Sequence, residues 1–542
     1  MPSPSPFTFA IAASYTAEPI EAVIRFWSEP LQSDFRCSFA PFGQLIQTLL
    51  EPASSFATNQ HGLNVLLLRS EDMGLEARRQ ENLDALMAAV QARAPHLPSP
   101  LLIVADVDLT VNYQDTASVY VLRPSQVDSW YPVRGKYSHQ GDQLGAIPYT
   151  EDYFLALGTS VVRAAHAILK APHKVLALDC DQTLWKGICG EDGPEGVSLE
   201  TGHRALQEFA LAQRSAGMLL TLCSKNNEQD VRDTFDAHAE FPVRLSDITT
   251  SRVNWQPKPL GLASIAAELS LGLDSFIFLD DNAKEISEVD EQLPEVLALA
   301  LPKEPSTYGF FLEHVWAFDR LKVTSADEAR AASYEGVQEF GKELHAAGSL
   351  EHFYGTLELE VTIRPVAPGE IERAAQLTQR TNQFNFTTIR RNEASLEGLL
   401  ASGVQIHGIH VRDRFGDYGF TGLLIGKVSD GNYVVENMLL SCRVLGRGVE
   451  HRVIAWLGAH ALELGCNEVT IPFEPTSRNA PARDFWTSLP ENSTSQRLAD
   501  FRFQPSRIEP VAVTPVTHAA AQHSVDYALI ASTLNRVEAI RR

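Results

Sequence analysis

The stretch Lys174-Val-Leu-Ala-Leu-Asp-Cys-Asp-Gln-Thr-Leu-Trp185 decides how the chain reads. An apolar run centred on Val175 to Leu178 is short enough for a buried strand, and it leads straight into Asp179, Asp181 and a threonine. Residues two apart on a strand share a face, so both aspartates are expected to leave its carboxyl end side by side. Parallel α/β sheets bind their ligands at that edge. Neighbouring carboxylates repel, and both stay ionised only with a cation between them. Hard oxygen ligands around an open position suit Mg2+. The chemistry such a pair supports is an aspartyl nucleophile beside an aspartyl acid/base, working on phosphate.

Asp179-x-Asp181-x-Thr183 after a hydrophobic strand resembles the first motif of the haloacid dehalogenase (HAD) superfamily, and companions follow in order. Helix 201–216 stops at Gly217, and strand Met218–Cys223 ends at Ser224-Lys225-Asn226. A hydroxyl at that strand end is what the second motif supplies to hold a phosphoryl group. Trp255-Gln-Pro-Lys258 opens a helix, and a lysine there neutralises nucleophile and phosphate, like the third motif. The strand Phe276-Ile-Phe-Leu-Asp280-Asp281-Asn282 ends in paired acids, like the fourth, which completes the metal site. The resemblance implies Asp179, Asp181, Ser224 and Lys258 as catalytic residues and Asp179, Asp181, Asp280 and Asp281 as the Mg2+ site, Asp181 through its backbone carbonyl. About forty residues separate Asp181 from Ser224, enough for a flap (186–197) and one helix. The gap from Lys258 to Asp280 holds one more, so neither gap has room for a cap domain. A capless site is open, which suits a large substrate or one delivered by a protein.

At 542 residues the chain is too long for one core. Its hydrophobic (44%) and charged (21%) fractions are those of a globular protein. A net charge of −23 argues against duplex nucleic acid and anionic membrane surfaces as partners. The six cysteines form no C-x-x-C pair or zinc spacing, so free thiols in a reducing cytoplasm are expected. Neither a signal-like N-terminus nor a membrane-length apolar run is evident, and a cytoplasmic location is the expectation.

Residues 1–170 alternate strands (Phe7–Ser14, Phe35–Ala40, Leu63–Leu68, Leu101–Val107) with helical stretches (Pro19–Trp27, Gly43–Leu50, Leu75–Arg93). That rhythm implies a parallel sheet covered on both faces. Ser14, at a strand end, reads as a capping residue. Residues 171–305 form the HAD-like domain and 306–350 a helical connector containing Trp316 to Thr324, with Ser325 as N-cap of a helix through Tyr334. Residues 351–495 change character: strand Leu357–Val366, helix 368–380, strands Gln405–Arg412, Gly419–Ser429 and Tyr433–Ser441, then helix 448–464. Between the last strand and that helix lies Arg443-Val-Leu-Gly446-Arg-Gly448, a glycine turn that offers backbone N–H groups to a phosphate. It resembles the pyrophosphate cradle of GNAT-type N-acyltransferases, and Asn479, Ala482 and Phe485-Trp486 resemble that fold's later motif. Arg443, Gly446, Gly448 and Asn479 are thus the expected cofactor contacts, for a carrier's phosphopantetheine or for CoA. Residues 496–542 read as a linker and a short amphipathic helix, Tyr527 to Ile540.

The whole order is similar to FkbH-like proteins of HAD subfamily IIIC. The residues that carry this are Leu178 to Trp185 with Gly190-Glu-Asp-Gly193, Cys223-Ser-Lys-Asn226, Leu279-Asp-Asp-Asn282, Trp316 to Thr324, Thr381-Asn-Gln-Phe-Asn-Phe-Thr-Thr388, Asp413 to Gly419 and Ser441 to Gly448. The resemblance implies a multidomain α/β protein: an SGNH-like or flavodoxin-like N-terminal domain, a capless HAD Rossmann-like domain and a GNAT-like α+β domain. It implies as activity the loading of a glyceryl unit from 1,3-bisphosphoglycerate onto an acyl carrier protein, with phosphate removal, for polyketide or related biosynthesis. A thiolate displaces phosphate from an acyl phosphate without ATP. Cys223 and, second, Cys442 are the candidate thiols. A small-molecule phosphatase and a CoA-dependent acyltransferase with a subsidiary HAD site are the alternatives.

Overall fold

The computed structural model describes residues 6–107, 118–269, 271–323, 357–466, 468–476, 478–488, 495–497 and 500–503. The expected helix through Tyr334 with its Ser325 cap, the linker beyond Phe503 and the helix from Tyr527 to Ile540 lie outside these residues. Among the described residues the chain forms two units: the residues up to Pro172 with Phe310–Lys322, and His173–Gly309 with the residues from Val323 to Phe503.

In the first unit β1 (Phe7–Ala13), β2 (Phe35–Phe39), β3 (Gly62–Leu68), β4 (Leu101–Ala105) and β5 (Val119–Leu122) form a parallel sheet in the order β2-β1-β3-β4-β5. This is the flavodoxin-like doubly wound order. Every residue of β3 and β4 is buried, as a sheet covered on both faces requires. Ser14, where β1 ends, accepts the Arg69 N–H (2.9 Å) and donates to Asp72 (3.0 Å), a structural use of the hydroxyl. Part of the expected connector belongs to this unit. The Arg163 guanidinium, on helix Glu151–Leu169, grips both carboxylate oxygens of Asp319 at 2.7 Å and stacks on Trp130. Trp316 packs on Trp27 and donates to the Tyr131 hydroxyl (3.1 Å).

The second unit begins with another parallel sheet of five strands: β6 (Val175–Leu178), β7 (Leu219–Ser224), β8 (Ile248–Val253), β9 (Phe276–Asp280) and β10 (Leu297–Ala300), ordered β10-β9-β6-β7-β8. All four residues of β6 are fully buried at its centre. Helix Thr201–Ser215 joins β6 to β7, and helix Lys258–Leu269 lies between β8 and β9. No cap domain interrupts either gap.

The sheet that follows is mixed. β11 (Glu360–Pro365), β13 (Gln405–Asp413), β14 (Gly416–Ser429) and β15 (Asn432–Leu440) pair antiparallel in that order. β16 (Val469–Pro472) pairs with β15 in parallel, and β18 (Asp500–Phe503) and β17 (Ser495–Arg497) complete the sheet. The parallel pairing covers only Tyr433↔Val469 and Val434↔Thr470, after which the two strands part. The two-residue strand β12 (Phe384–Asn385) lies along the vacated edge of β15. Helix Val449–Glu463 buries Val449, Val453, Ile454 and Leu457 against this sheet. Among the described residues no helix is long and apolar enough to cross a membrane.

Candidate active site

Three adjacent strands deliver the site. β6 runs into Asp179, whose N–H is held by the Leu279 carbonyl (3.1 Å), β7 ends on Ser224, and β9 ends on Asp280. Being parallel neighbours, they bring these side chains to one carboxyl edge. Lys258, first residue of its helix and only 3% exposed, places its ammonium 2.5 Å from Asp179 Oδ1 and 2.8 Å from Asp280 Oδ2. Burial alone lowers a lysine pKa, but the two carboxylates outweigh it and hold Lys258 above the usual lysine value. Burial pushes the Asp179 carboxyl up, with Asp280 adding to the rise and Lys258 and Ser224 opposing it. The Asp280 carboxyl is raised too, by burial against the pull of Lys258.

Asp179, Asp280 and the exposed Asp281 each offer an oxygen within 4.8 Å of the others. Three carboxylates against one ammonium leave two negative charges uncompensated, and the donors are all hard oxygens. A divalent cation such as Mg2+ fits both the charge and the chemistry of this set. Thr183 fixes the rim, its hydroxyl accepting the Asp281 N–H (3.2 Å).

The Asp181 carboxylate lies outside that group. One oxygen accepts Trp185 Nε1 (2.8 Å) and the Cys189 N–H (3.1 Å), and the other accepts Asn226 Nδ2 (2.8 Å). Three hydrogen bonds thus hold the side chain in one orientation, and the part expected of Asp181 at the metal is that of its backbone carbonyl, not of this carboxylate. Gln182, with φ 58°, turns the chain back so that Trp185 meets the aspartate. The flap is pinned at its base by the Lys186–Ser198 backbone pair. Asn226, Trp185 and Cys189 orient the Asp181 carboxylate; Trp185 and Asn226 lie within the quoted motifs but carry no assigned role there, because it appears only when the flap and the β7 loop fold over Asp181.

Cys223 is corrected by the structure. Strand alternation turns it away from Ser224 and into the hydrophobic core, 2% exposed, with its thiol donating to the Lys258 carbonyl (3.6 Å). Burial pushes the thiol up to about 12, so it is neither accessible nor ionised as a nucleophile must be. The helix above rests directly on the sulfur: a Cβ at Gly261 would stand 2.9 Å from it. Cys442 is half-buried at the edge of the same cluster.

The residues expected to hold a pantetheine-type cofactor are also engaged internally. Gly446 (φ 72°) and Gly448 (φ 87°) form the turn, but the Gly446 N–H donates to Glu450 Oε1 at 2.6 Å. The Glu450 carboxyl, 4% exposed, is raised by burial and stabilised in its charged form by the N–H groups of Glu450, Gly446 and Gly448. Arg447 is turned inward, in a buried ion pair with Asp413 beneath which lies the Tyr418 ring. Arg443 is half-buried in the turn. Asn479, fully buried, donates to the Asn385 and Glu474 carbonyls (2.9 Å each) and accepts the Thr476 N–H (2.8 Å).

No family model matches the chain, and no curated protein matches it. Solved structures do resemble it. The N-terminal part of a Bacteroides fragilis protein, containing a phosphatase domain complexed with Mg, is 18% identical at a TM-score of 0.48, over 58% of this chain and 93% of that one. A GNAT-family acetyltransferase from Staphylococcus aureus Mu50 is 9% identical (TM-score 0.20), covering 27% of this chain and 99% of that one. Spermidine N-acetyltransferase from Vibrio cholerae, solved with CoA and spermine, is 11% identical (TM-score 0.21; 27% and 96%). Likenesses this distant carry neither substrate nor mechanism to this chain. The sheet orders above make the fold multidomain α/β: a flavodoxin-like doubly wound domain, a domain built on a second five-stranded parallel sheet, and one built on a mixed, mostly antiparallel sheet.

Proposed function

We propose that this protein is a Mg2+-dependent phosphoryl-transfer enzyme of HAD type that takes 1,3-bisphosphoglycerate and loads its three-carbon acyl unit, freed of phosphate, onto the phosphopantetheine thiol of an acyl carrier protein. The observation that carries the phosphoryl chemistry is the meeting of Asp179, Asp280 and Asp281 with the Lys258 ammonium at one sheet edge. The choice of substrate and carrier is supported by the FkbH-like motifs and by the capless, open site.

The carrier thiolate attacks the acyl-phosphate carbonyl; the C–S bond forms as the C–O bond to phosphate breaks. The remaining phosphate monoester enters the HAD site. Asp179 attacks phosphorus while the ester P–O bond breaks, and Asp181 gives its proton to the departing alkoxide. Asp181 then takes a proton from the water that hydrolyses the aspartyl phosphate. Lys258 and the Ser224 hydroxyl hold the phosphoryl oxygens. Asp179, Asp280 and Asp281 would hold Mg2+, whose charge would offset that developing on the transferred group. Cys442 is the remaining enzyme thiol for a relay between acyl phosphate and carrier.

Intact mass of a holo carrier protein, after incubation with enzyme, Mg2+ and 1,3-bisphosphoglycerate generated in situ, tests the reading. The wild type is expected to add a glyceryl mass. Asp179→Asn, which removes the nucleophile, is expected to lower glyceryl product by about 10³-fold or more. Undiminished glyceryl product in that variant sinks the assignment. Phosphate release with no mass gain on any carrier moves the reading to a small-molecule phosphatase.

A further inference from the structure

We propose that the GNAT-like domain has its coenzyme position filled by its own chain, so that acyl-CoA is not the acyl source of this protein. An acyl-CoA seated at a glycine turn of this kind needs two things from the domain. Its pyrophosphate needs free N–H groups at the helix start. Its pantetheine arm needs an open backbone edge to pair with, as an added strand does.

Both are taken, by separate parts of the chain. At the turn, the place of the anion is taken by the Glu450 carboxyl, which is 4% exposed and accepts the Gly446 N–H at 2.6 Å. Arg447 faces Asp413 rather than the turn's mouth. At the edge, the parallel register of β15 and β16 (433 with 469, 434 with 470) would, if continued, set Met438 opposite Glu474. Phe386 stands between them instead. Its N–H donates to the Met438 carbonyl (3.0 Å) and its carbonyl accepts the Glu474 N–H (2.8 Å). β12 continues the occupation, Phe384 facing Leu440 and Asn385 facing Leu439.

The inserted segment is core rather than a loose strap. Phe386, fully buried, meets the edges of Phe384, Phe473 and Trp486, and Phe384 meets Phe485. Asn479 clamps it from the next helix through the Asn385 carbonyl. Expelling it for a ligand costs the burial of two phenylalanines, about one to two tenfold factors in affinity for each. The inference stands on this domain alone and is independent of the HAD chemistry.

The test is a calorimetric titration of the full-length protein with acetyl-CoA, paired with hydrogen exchange over Phe384–Thr388. No saturable binding is expected up to about 1 mM. The amide of Phe386 is expected to exchange as slowly as its β15 neighbours, with acetyl-CoA present or absent. Micromolar binding, or faster exchange across 384–388 when acetyl-CoA is added, overturns the proposal. Glu450→Ala gives a second reading: its Tm is expected to fall and to be restored by inorganic pyrophosphate, to which the wild-type Tm does not respond. A wild-type Tm that pyrophosphate raises equally shows an open turn and overturns it as well. If Glu450→Ala does not fold, the wild-type titration still decides.

Discussion

Asn226 donates to Asp181 at 2.8 Å and lies 3.4 Å from the Ser224 hydroxyl, so one buried amide ties the proposed acid/base to the residue proposed to hold the phosphoryl group. Asp181 keeps two further donors, Trp185 and the Cys189 backbone, on its other oxygen. Removing the amide frees one oxygen and lets the carboxylate rotate, without touching nucleophile or metal ligands. Asn226→Ala is therefore expected to lower kcat for phosphate release by about 10- to 100-fold with KM little changed. Steady-state kinetics on a phosphate monoester check this; a loss confined to KM would make Asn226 a binding residue instead. The residues that meet at this sheet edge were legible in the sequence because each stands at the boundary of an element: Asp179, Ser224 and Asp280 at strand ends, Lys258 at a helix start. Asn226 was not, since a polar residue two positions past a strand looks the same whether it faces water or a catalytic carboxylate.

His407, on β13, is packed against helix Val449–Glu463, 4.9 Å from the Trp456 ring and 5.1 Å from His460. Gln405 accepts from Tyr433 and contacts His460 Nε2 in the same cluster. His407 Nδ1 is buried with no hydrogen-bond partner. Burial first, and the neighbouring His460 second, push His407 from the ordinary 6.5 to about 4. The unfolded chain therefore takes up this proton before the folded protein does. The contribution to stability is whole above pH 6.5 and is lost progressively as pH falls from 6.5 to 4. His407→Leu is expected to flatten the decline of Tm over that interval, and thermal melts across a pH series check it; parallel curves would assign the decline to other groups. At this scale β13, β14, β15 and the helix after the glycine turn were legible from alternation and period. β12 and β16, two and four residues long, were not. Nor was Glu450, because an acid in a helix's first turn ordinarily faces solvent. Cys223 misled because adjacency in sequence to Ser224 means the opposite face on a strand.

Residues 310–322 lie far in sequence from 1–172 but form one unit with them, so the first unit is not a contiguous piece of chain. Sequence reading made this stretch a connector, since nothing local marks Asp319 as the partner of an arginine 156 residues earlier. The pair is nearly dry, the side chains 2% and 10% exposed, and it is bidentate. Arg163 also donates to the Glu313 carbonyl at 2.5 Å. Taking away one partner of such a pair leaves a buried charge and costs about 3–5 kcal/mol, whereas replacing both with apolar groups of similar volume is close to neutral. Arg163→Ala is therefore expected to release the returning segment: hydrogen-exchange protection across 310–322 falls by about two to four orders of magnitude for that energy. Protection within β6 and β7, which belong to the other unit, is expected to stay as it is. Arg163→Met combined with Asp319→Leu should recover most of the lost protection, because the stranded carboxylate is gone. Unchanged exchange across 310–322 in Arg163→Ala would mean that the aromatic contacts of Trp316 hold the segment by themselves, and the ion pair would then serve only to fix its register.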